Sequence, residues 1–507
     1  MRLPLIIVLI STIQFANCRH TTKWKRSVYE SISNKIVDTK NYVVKQARNL
    51  KDFTIGTAND TINSVKSFVS RTSSRVYNFV DDGTNAVKNK FKHYIHDAQK
   101  TTTSLYDIIA PNKTSYECSD TNTDNYMTTS ELIRQHGYHS ESHTIMTEDG
   151  YLLTVHRIPF SSQNPNHENT KKTVLLHHGI LGSSADWVIP GPNKSLAYLL
   201  SDAGYDVWMA NVRGNTYSRG HVHRNIDSYA FWNFSFHEVA QYDLPAVIDF
   251  IIEKKGSDVE INYVGFSMGT TVLFAMLSTK TEYNNVLRTG FALAPITYVK
   301  QIKSPFKLLS KFGNNLEYFM KLVGVNEFLP RNFLVRYMAK HYCKVTDVEE
   351  ALCEMSMFLL CGHDKEHFNR TLAPMILGHV PAGTSTKTLA HYAQEINNKG
   401  RFQQFDYGAE GNMREYGTKT PPEYPLYKVT LPITLFSAHD DWLSSVRDGV
   451  DLYKQLSNPV EHYIVPSSHF NHIDFLFARD ARPLVYDKLL QMLDQSYEVH
   501  DIHATIE

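Results

Sequence analysis

Beyond residue 125 the chain alternates short, mostly apolar runs with longer amphipathic stretches. The runs Tyr151 to Ile158, Thr173 to His178, Asp206 to Asn211, Ile261 to Phe266, Gly290 to Leu293, Ile433 to Ser437 and His462 to Val465 predict strands. Several are almost wholly apolar, the pattern of strands covered on both faces. Helix-like segments, among them Phe236 to Glu253 and Thr270 to Ser278, lie between them, which predicts an α/β fold with a mostly parallel central sheet flanked by helices. From Tyr298 to Tyr424 the alternation lapses into helix-like stretches broken by Pro and Gly, and then strands resume. The expected organisation is a core over residues 126–297 and 426–495, with a mainly helical insertion over 298–425 above one end of the sheet. No internal repeat is visible.

The first 125 residues have a different pattern. From about residue 30 to 110 there is no proline and little glycine, and apolar residues recur at Ile62, Val65, Val69, Val76, Val80, Val87, Phe91, Ile95 and Ala98. That spacing fits one face of a helix or of several helices, with lysines and arginines over much of the rest. Residues 19–111 therefore read as a basic amphipathic extension, helical or partly disordered. Its face is rich in Val and Thr and poor in Leu, which favours a weakly helical spacer or propeptide over helices lying on an anionic lipid surface. Pro111 ends the pattern, and the Ser/Thr/Asn/Asp-rich stretch 112–125 reads as a linker. At the start, Met1-Arg2, the apolar run Leu3 to Ile10 and the small or polar residues to Cys18 have the three regions of a secretory signal peptide, residues 1–18. The run falls well short of the roughly 18 apolar residues of a membrane span. The mature chain is expected to begin near residues 17 to 20 and to be secreted or lysosomal.

Composition changes this picture in three places. At 507 residues and 42% hydrophobic, the chain can build one large core with a sizeable insertion. Formal net charge is zero, yet between Arg19 and Ala110 basic residues outnumber acidic ones about two to one, leaving the remainder acidic. The two regions should do different jobs, and no nucleic-acid partner is expected. Apart from Cys18 in the leader, the cysteines are Cys118, Cys343, Cys353 and Cys361, too few to staple a fold of this size, so stability must come mainly from burial. Asn-x-Ser/Thr triplets make Asn59, Asn112, Asn193, Asn233 and Asn369 candidate glycosylation sites in an exported chain. No cluster has zinc-ligand spacing, and neither a metal nor an organic cofactor is expected.

The chemistry centres on Gly265-Phe266-Ser267-Met268-Gly269, between the apolar run Ile261-Asn262-Tyr263-Val264 and the helix-like run Thr270 to Met276. A serine on a sharp strand-to-helix turn needs small neighbours on both flanks, because the backbone is strained and closely packed there. A serine hydroxyl also needs a base, itself oriented by a carboxylate. Both should come from the ends of later strands. The run Ile433 to Ser437 ends in Ala438-His439-Asp440-Asp441-Trp442-Leu443, which offers two adjacent carboxylates. The run ending near Val465 leads into Pro466-Ser467-Ser468-His469-Phe470-Asn471-His472-Ile473-Asp474-Phe475, which offers two histidines. Acyl transfer further needs donors for the developing oxyanion: the backbone N–H of Met268, directly after the serine, and one from the loop His177-His178-Gly179-Ile180-Leu181-Gly182, where Ile180 fits the place.

From about Asn125 to Met492 the chain resembles the acid lipase family that includes gastric and lysosomal acid lipases. The resemblance rests on Gly150-Tyr151-Leu152-Leu153, on His178-Gly179-Ile180-Leu181-Gly182-Ser183-Ser184-Ala185-Asp186-Trp187, and on Ala203 to Met209 and Asn211 to Ser218. It continues through Phe231 to Phe236, Tyr242 to Ala246, Pro381 to Ser385 and Asn471 to Phe475. The resemblance implies an α/β-hydrolase fold, Ser267 as nucleophile, His472 in preference to His469 as base, Asp441 in preference to Asp440 as the orienting acid, and Ile180 and Met268 as oxyanion donors. It implies a cap over residues 298–425, part of it a lid that opens at a lipid surface, and a disulfide between Cys343 and Cys353 with Cys361 free. Pairing of Cys353 with Cys361 stays open on the residues alone. The family commonly has His and Gln beside the serine, where this chain has Phe266 and Met268, and residues 19–111 have no counterpart in it.

The expectation is thus a lipase that hydrolyses neutral lipids, triacylglycerols or sterol esters, at a lipid–water interface through an acyl-enzyme. Peripheral contact with the lipid surface would run through the lid and the N-terminal extension. The competing readings are a carboxylesterase on smaller soluble esters and a non-catalytic lipid-binding protein.

Overall fold

The computed structural model describes residues 127–161, 172–312, 326–328, 361–362, 366–398 and 400–506, with side chains described as far as Tyr497. The expected signal peptide, N-terminal extension and linker, and the larger part of residues 313–365, lie outside them. Eleven strands are seen among the described residues: β1 Glu141–Met146, β2 Tyr151–Ile158, β3 Lys172–His177, β4 Asp206–Met209, β5 Gly220–His221, β6 Glu260–Phe266, β7 Leu287–Leu293, β8 Glu327–Phe328, β9 Thr384–Ser385, β10 Ile433–Ser437 and β11 Pro459–Ile464. Nine of them form one sheet in the order β1-β2-β4-β3-β6-β7-β10-β11, with β5 beside β2. Strands β4, β3, β6, β7, β10 and β11 run parallel. The β1–β2 hairpin joins them antiparallel. The chain therefore has the mostly parallel, helix-flanked sheet of the α/β-hydrolase fold.

The apolar runs are long because both faces of the central strands are covered. Successive residues sort by the two-residue period of a strand. Val174, Leu176, Val207, Met209, Val264, Phe266, Phe291, Leu293 and Phe436 face one core, and Leu175, Trp208, Ile261, Tyr263, Ala292 and Leu435 face the other. The first core is closed by α1 (Thr129–Gln135), α2 (Leu196–Asp202) and the C-terminal helix, through Leu132, Leu196, Leu200, Leu489 and Leu493. The second is closed by α3 (Leu244–Lys255) and α4 (Met268–Thr279), through Leu244, Ile248, Ile251, Val272 and Leu273.

Two elements depart from the sequence pattern. Strand β1 has no apolar alternation, because it is the sheet edge and only Ile145 is buried in it. The helix expected over Phe236 to Glu253 is broken into a short turn Phe236–Glu238, a π turn Val239–Asp243 and α3. Pro245 has no N–H to give to the carbonyl of residue 241, and the wider π turn precedes it. The turn carries Asp243, which grips buried Arg213 through its Nε at 2.7 Å and its backbone N–H at 2.9 Å. Arg213 also reaches Asp149 at 2.6 Å and lies 4.0 Å from the Tyr151 ring centre. A cation with almost no solvent access is held by two carboxylates, which ties the β1–β2 turn to the start of α3.

Between the adjacent strands β7 and β10 the chain makes its longest described excursion. It includes the β8–β9 pair and helices α5 (Ala373–His379), α6 (Thr386–Asn397) and α7 (Gly408–Tyr416). Helix α8 (Val446–Tyr453) then links β10 to β11, and α9 (Asp487–Ile506) ends the described chain.

Candidate active site

Strand β6 runs straight into α4, and the residue at the junction is Ser267. Its backbone lies at φ 53° and ψ −116°, a region a non-glycine residue occupies at a cost of about 1–3 kcal/mol. The surroundings over-determine that turn. The Ser267 N–H donates to the Leu293 carbonyl at 3.0 Å, and the Ser267 carbonyl accepts from the Thr270 N–H at 2.9 Å and its hydroxyl at 2.6 Å. The flanking glycines are needed for space. A Cβ on Gly269 would stand 2.4 Å from the His177 carbonyl oxygen, and one on Gly265 would stand 2.8 Å from the Gly269 carbonyl carbon and from Tyr263.

The serine hydroxyl meets His472 and Asp441. His472 Nε2 lies 2.9 Å from Ser267 Oγ, and His472 Nδ1 lies 2.7 Å from Asp441 Oδ2. All three are buried. Asp441 is fixed by the turn after β10, which folds back so that the Leu443 and Ser444 N–H groups donate to Oδ1 at 2.8 and 2.7 Å. That leaves Oδ2 for the imidazole. Asp440 points elsewhere and accepts from Trp442 Nε1 at 3.1 Å. His469 is exposed and stands 4.0 Å from Glu366. His472 is positioned by its neighbour: Asn471 donates through Nδ2 to the Gly362 carbonyl at 3.0 Å, and its Oδ1 accepts from the Ile473 N–H at 3.0 Å. The His472 N–H donates to the Cys361 carbonyl at 3.4 Å, and the Phe266 ring packs 5.0 Å from the imidazole centre.

The loop after β3 passes over the serine. A Cβ on Gly179 would lie 3.1 Å from Ser267 Cβ and 3.0 Å from the Phe266 ring, so a larger residue would fit here only if these neighbours gave way. The next residue is Ile180. Neither its N–H nor that of Met268, the first residue of α4, donates to an acceptor among the described residues. Two backbone N–H groups thus lack an acceptor among the described residues, one directly after Ser267 in the chain and one directly after Gly179. His178 shapes the loop: its Nδ1 donates to the Gly179 carbonyl at 2.7 Å, and its Nε2 accepts from the Val212 N–H and Asn215 Nδ2, each at 3.2 Å. Burial holds the His177 and His178 imidazoles far below their ordinary range, at about 3 and about 4, so both stay neutral. The arrangement can move a proton from a hydroxyl to an imidazole while a carboxylate stabilises the resulting cation. It can also offer N–H donors to an oxygen that gains charge.

A second Ser-His-Asp arrangement lies outside this group. His367 Nε2 is 2.7 Å from Ser467 Oγ, and His367 Nδ1 is 2.8 Å from Asp480 Oδ2. Ser467 is not on a strained strand-to-helix turn. The chain instead ties segment 366–368 to the loop that carries His472. Neither partner is legible beforehand, because the three residues are scattered among ordinary loop sequence. A polar cavity of about 330 Å³, lined by Asp149, Arg213, Arg224, Ala230, Asn233, Glu238 and Tyr242, contains none of the residues named for catalysis.

Among the remaining sequence candidates, Asn193 and Asn233 are exposed and Asn369 is partly so, whereas Asn59 and Asn112 lie outside the described residues. Cys343 and Cys353 also lie outside them. Cys361 has a free thiol, and burial raises its pKa well above the ordinary range. Among the described residues no group of three or more His, Cys, Asp or Glu side chains could hold a metal ion, and no helix is long and apolar enough to cross a membrane.

Residues 129–191 match a family model described as a partial alpha/beta-hydrolase lipase region, and residues 172–319 match the alpha/beta hydrolase fold. The chain is 40% identical to gastric triacylglycerol lipase of Mus musculus over 370 residues, which is 72% of this chain and 91% of that protein. It is 38% identical to the Homo sapiens gastric triacylglycerol lipase over 370 residues, 73% and 91% of the two chains. It is 39% identical to Lipase 3 of Drosophila melanogaster over 369 residues, 73% and 93% of the two.

Proposed function

The chain belongs to the lipase family of which gastric triacylglycerol lipase is a member, and on that footing we propose that Ser267, His472 and Asp441 carry its ester hydrolysis. It is a serine ester hydrolase of the α/β-hydrolase fold. The substrates are neutral lipids, triacylglycerols or sterol esters, taken at a lipid–water interface. The observation that carries the reading is the unbroken hydrogen-bond chain from Asp441 through His472 to Ser267 at a strained turn.

Ser267 Oγ attacks the ester carbonyl carbon while His472 Nε2 takes the hydroxyl proton. Asp441 stabilises the imidazolium from the Nδ1 side. The carbonyl oxygen, now an oxyanion, accepts from the Ile180 and Met268 N–H groups, a contribution of about 3–4 kcal/mol per donor in such sites. The bond to the alcohol oxygen breaks as His472 returns the proton to it, leaving Ser267 acylated. A water then gives its proton to His472, attacks the acyl carbon and releases the fatty acid, and Ser267 regains its proton. Residues 298–425 act as the cap of this site, part of it a lid that opens at a lipid surface. Peripheral contact with that surface runs through the lid and residues 19–111. The enzyme is secreted or lysosomal, with a leader over residues 1–18, glycans at the exposed sequons and a cap disulfide between Cys343 and Cys353.

The test is hydrolysis of esters of graded chain length across pH by the wild type and Ser267→Ala. The expected outcome is long-chain activity on emulsified substrate that Ser267→Ala lacks. Activity confined to short esters below their solubility limit would point to a carboxylesterase, and no activity in either protein would leave a lipid-binding role.

A further inference from the structure

The loop that supplies Ile180 is followed by a buried carboxyl that the proposed chemistry does not use. Asp186 lies on the 3-10 turn Ser184–Trp187 and is 3% exposed. Its Oδ2 accepts from the Ser183 N–H at 3.2 Å, and its Oδ1 is buried without a hydrogen-bond partner. The carboxyl lies against Gly182, where a Cβ would come 2.2 Å from Oδ2. The Gly182 N–H in turn donates to the Gly179 carbonyl at 3.1 Å. That carbonyl, which also accepts from His178 Nδ1 at 2.7 Å, and the Ile180 N–H belong to one peptide plane, so whatever holds Gly182 helps to set the direction of the Ile180 donor.

An ionised carboxylate shut away from water with a single donor is costly, and the neutral acid is the form such a site accommodates. The titratable groups nearest the turn on the elements packed against it are His156 on β2, His177 and His178 at the end of β3, and His379 at the end of α5; α1, which meets the turn through Thr129 and Ser184, carries Glu131 and Arg134 on its exposed side. His156, His177 and His178 are held neutral by burial, so none of these three supplies a charge that would offset an anion. Burial accordingly raises the Asp186 carboxyl from the usual carboxylate range to about 7.

We propose that Asp186 is a positioning residue that works as a neutral acid: protonated, it packs on Gly182 and keeps the Ile180 N–H aimed at the oxyanion; ionised, it draws the turn toward water and disarms that donor. The inference rests on Ile180 acting as proposed above. It makes the reversible loss of a proton from Asp186, a residue outside the triad, one cause of falling activity as pH rises.

The experiment measures kcat and KM on a soluble short-chain ester from pH 4 to 9 for wild type, Asp186→Asn, Asp186→Ser and Ser267→Ala. A single ionisation near pH 7 lowers the wild-type kcat about tenfold between pH 6 and pH 8, reversibly and with little change in KM. Asp186→Asn keeps the Ser183 acceptor without an ionisable group, and it is expected to hold its pH 6 kcat through pH 8. Asp186→Ser, a smaller neutral acceptor, should flatten the profile in the same way if the amide does not fold. A folded neutral variant that keeps the wild-type alkaline loss, or that loses kcat equally at every pH, overturns the inference while an inactive Ser267→Ala leaves the triad standing. Wild-type activity in Ser267→Ala would instead overturn the triad.

Discussion

At the scale of single residues, the division of labour between the two oxygens of Asp441 has a measurable consequence. Oδ1 is committed to the Leu443 and Ser444 N–H groups, so only Oδ2 faces His472. In Asp441→Asn the carbonyl oxygen would keep those two donors and the NH2 would face Nδ1. An amide nitrogen cannot accept, so the imidazole must adopt the tautomer with its proton on Nε2, facing Ser267, where it cannot act as a base. The expected result is a loss on the order of 10⁴-fold in kcat with KM little changed, read on a soluble ester. Ser267 is legible in the sequence because its constraints are local: an apolar strand, two glycines and a helix in one short stretch. The choice between Asp440 and Asp441 is not legible from the residues alone, since adjacent carboxylates at a strand end differ only in how the following turn folds back. Asn471 and Thr270, which brace the base and the elbow, carry no sequence signal of their own, because Asn and Thr make such side-chain bonds to backbone in any loop or first helical turn.

At the scale of elements, helix α6 carries a buried acid whose effect is on stability. Glu395 accepts from the Gln403 N–H at 3.1 Å and Asn398 Nδ2 at 3.4 Å. His391 Nε2 is 3.8 Å away, yet it donates to the Gln403 carbonyl at 3.0 Å, and burial holds its pKa down at about 3. The two side chains are therefore close without being an ion pair. Desolvation raises the Glu395 carboxyl well above its ordinary value of 4.5. The folded state then binds that proton more tightly than the unfolded chain, so the contribution is fully present below the ordinary value and is lost as pH rises through the folded one. Glu395→Gln keeps an acceptor and removes the titration. Thermal unfolding should show the two proteins close together at pH 4 and the Gln variant melting higher at pH 8; a gap that does not change with pH would contradict this assignment. Element boundaries were legible where burial on both faces makes a strand apolar throughout, as in β3, β6 and β10. Edge strand β1, which buries only Ile145, left no such trace. Nor did the π turn ahead of Pro245, because the apolar spacing continues across it.

At the scale of the whole molecule, the parallel strands bring residues far apart in sequence to one end of the sheet. Ser267 follows β6, Asp441 follows β10, His472 lies beyond β11 and Ile180 follows β3. The fold class was readable because the two-sided core imposes its period on nearly every central strand. The second arrangement, Ser467 with His367 and Asp480, was not, because it depends on a segment returning from the long excursion between β7 and β10 to touch the loop before His472. Among the described residues, Ser267 and Ser467 thus each have a histidine and an aspartate in line, and of these two Ser267 stands on a strained elbow. The measurement that separates them is labelling of the native protein with a fluorophosphonate, followed by mass analysis of the intact chain and of its peptides. One adduct per molecule is expected, on Ser267, with labelling abolished in His472→Ala and unaffected in His367→Gln; an adduct on Ser467, or an unlabelled Ser267 in protein that hydrolyses esters, would contradict the assignment of Ser267 as nucleophile.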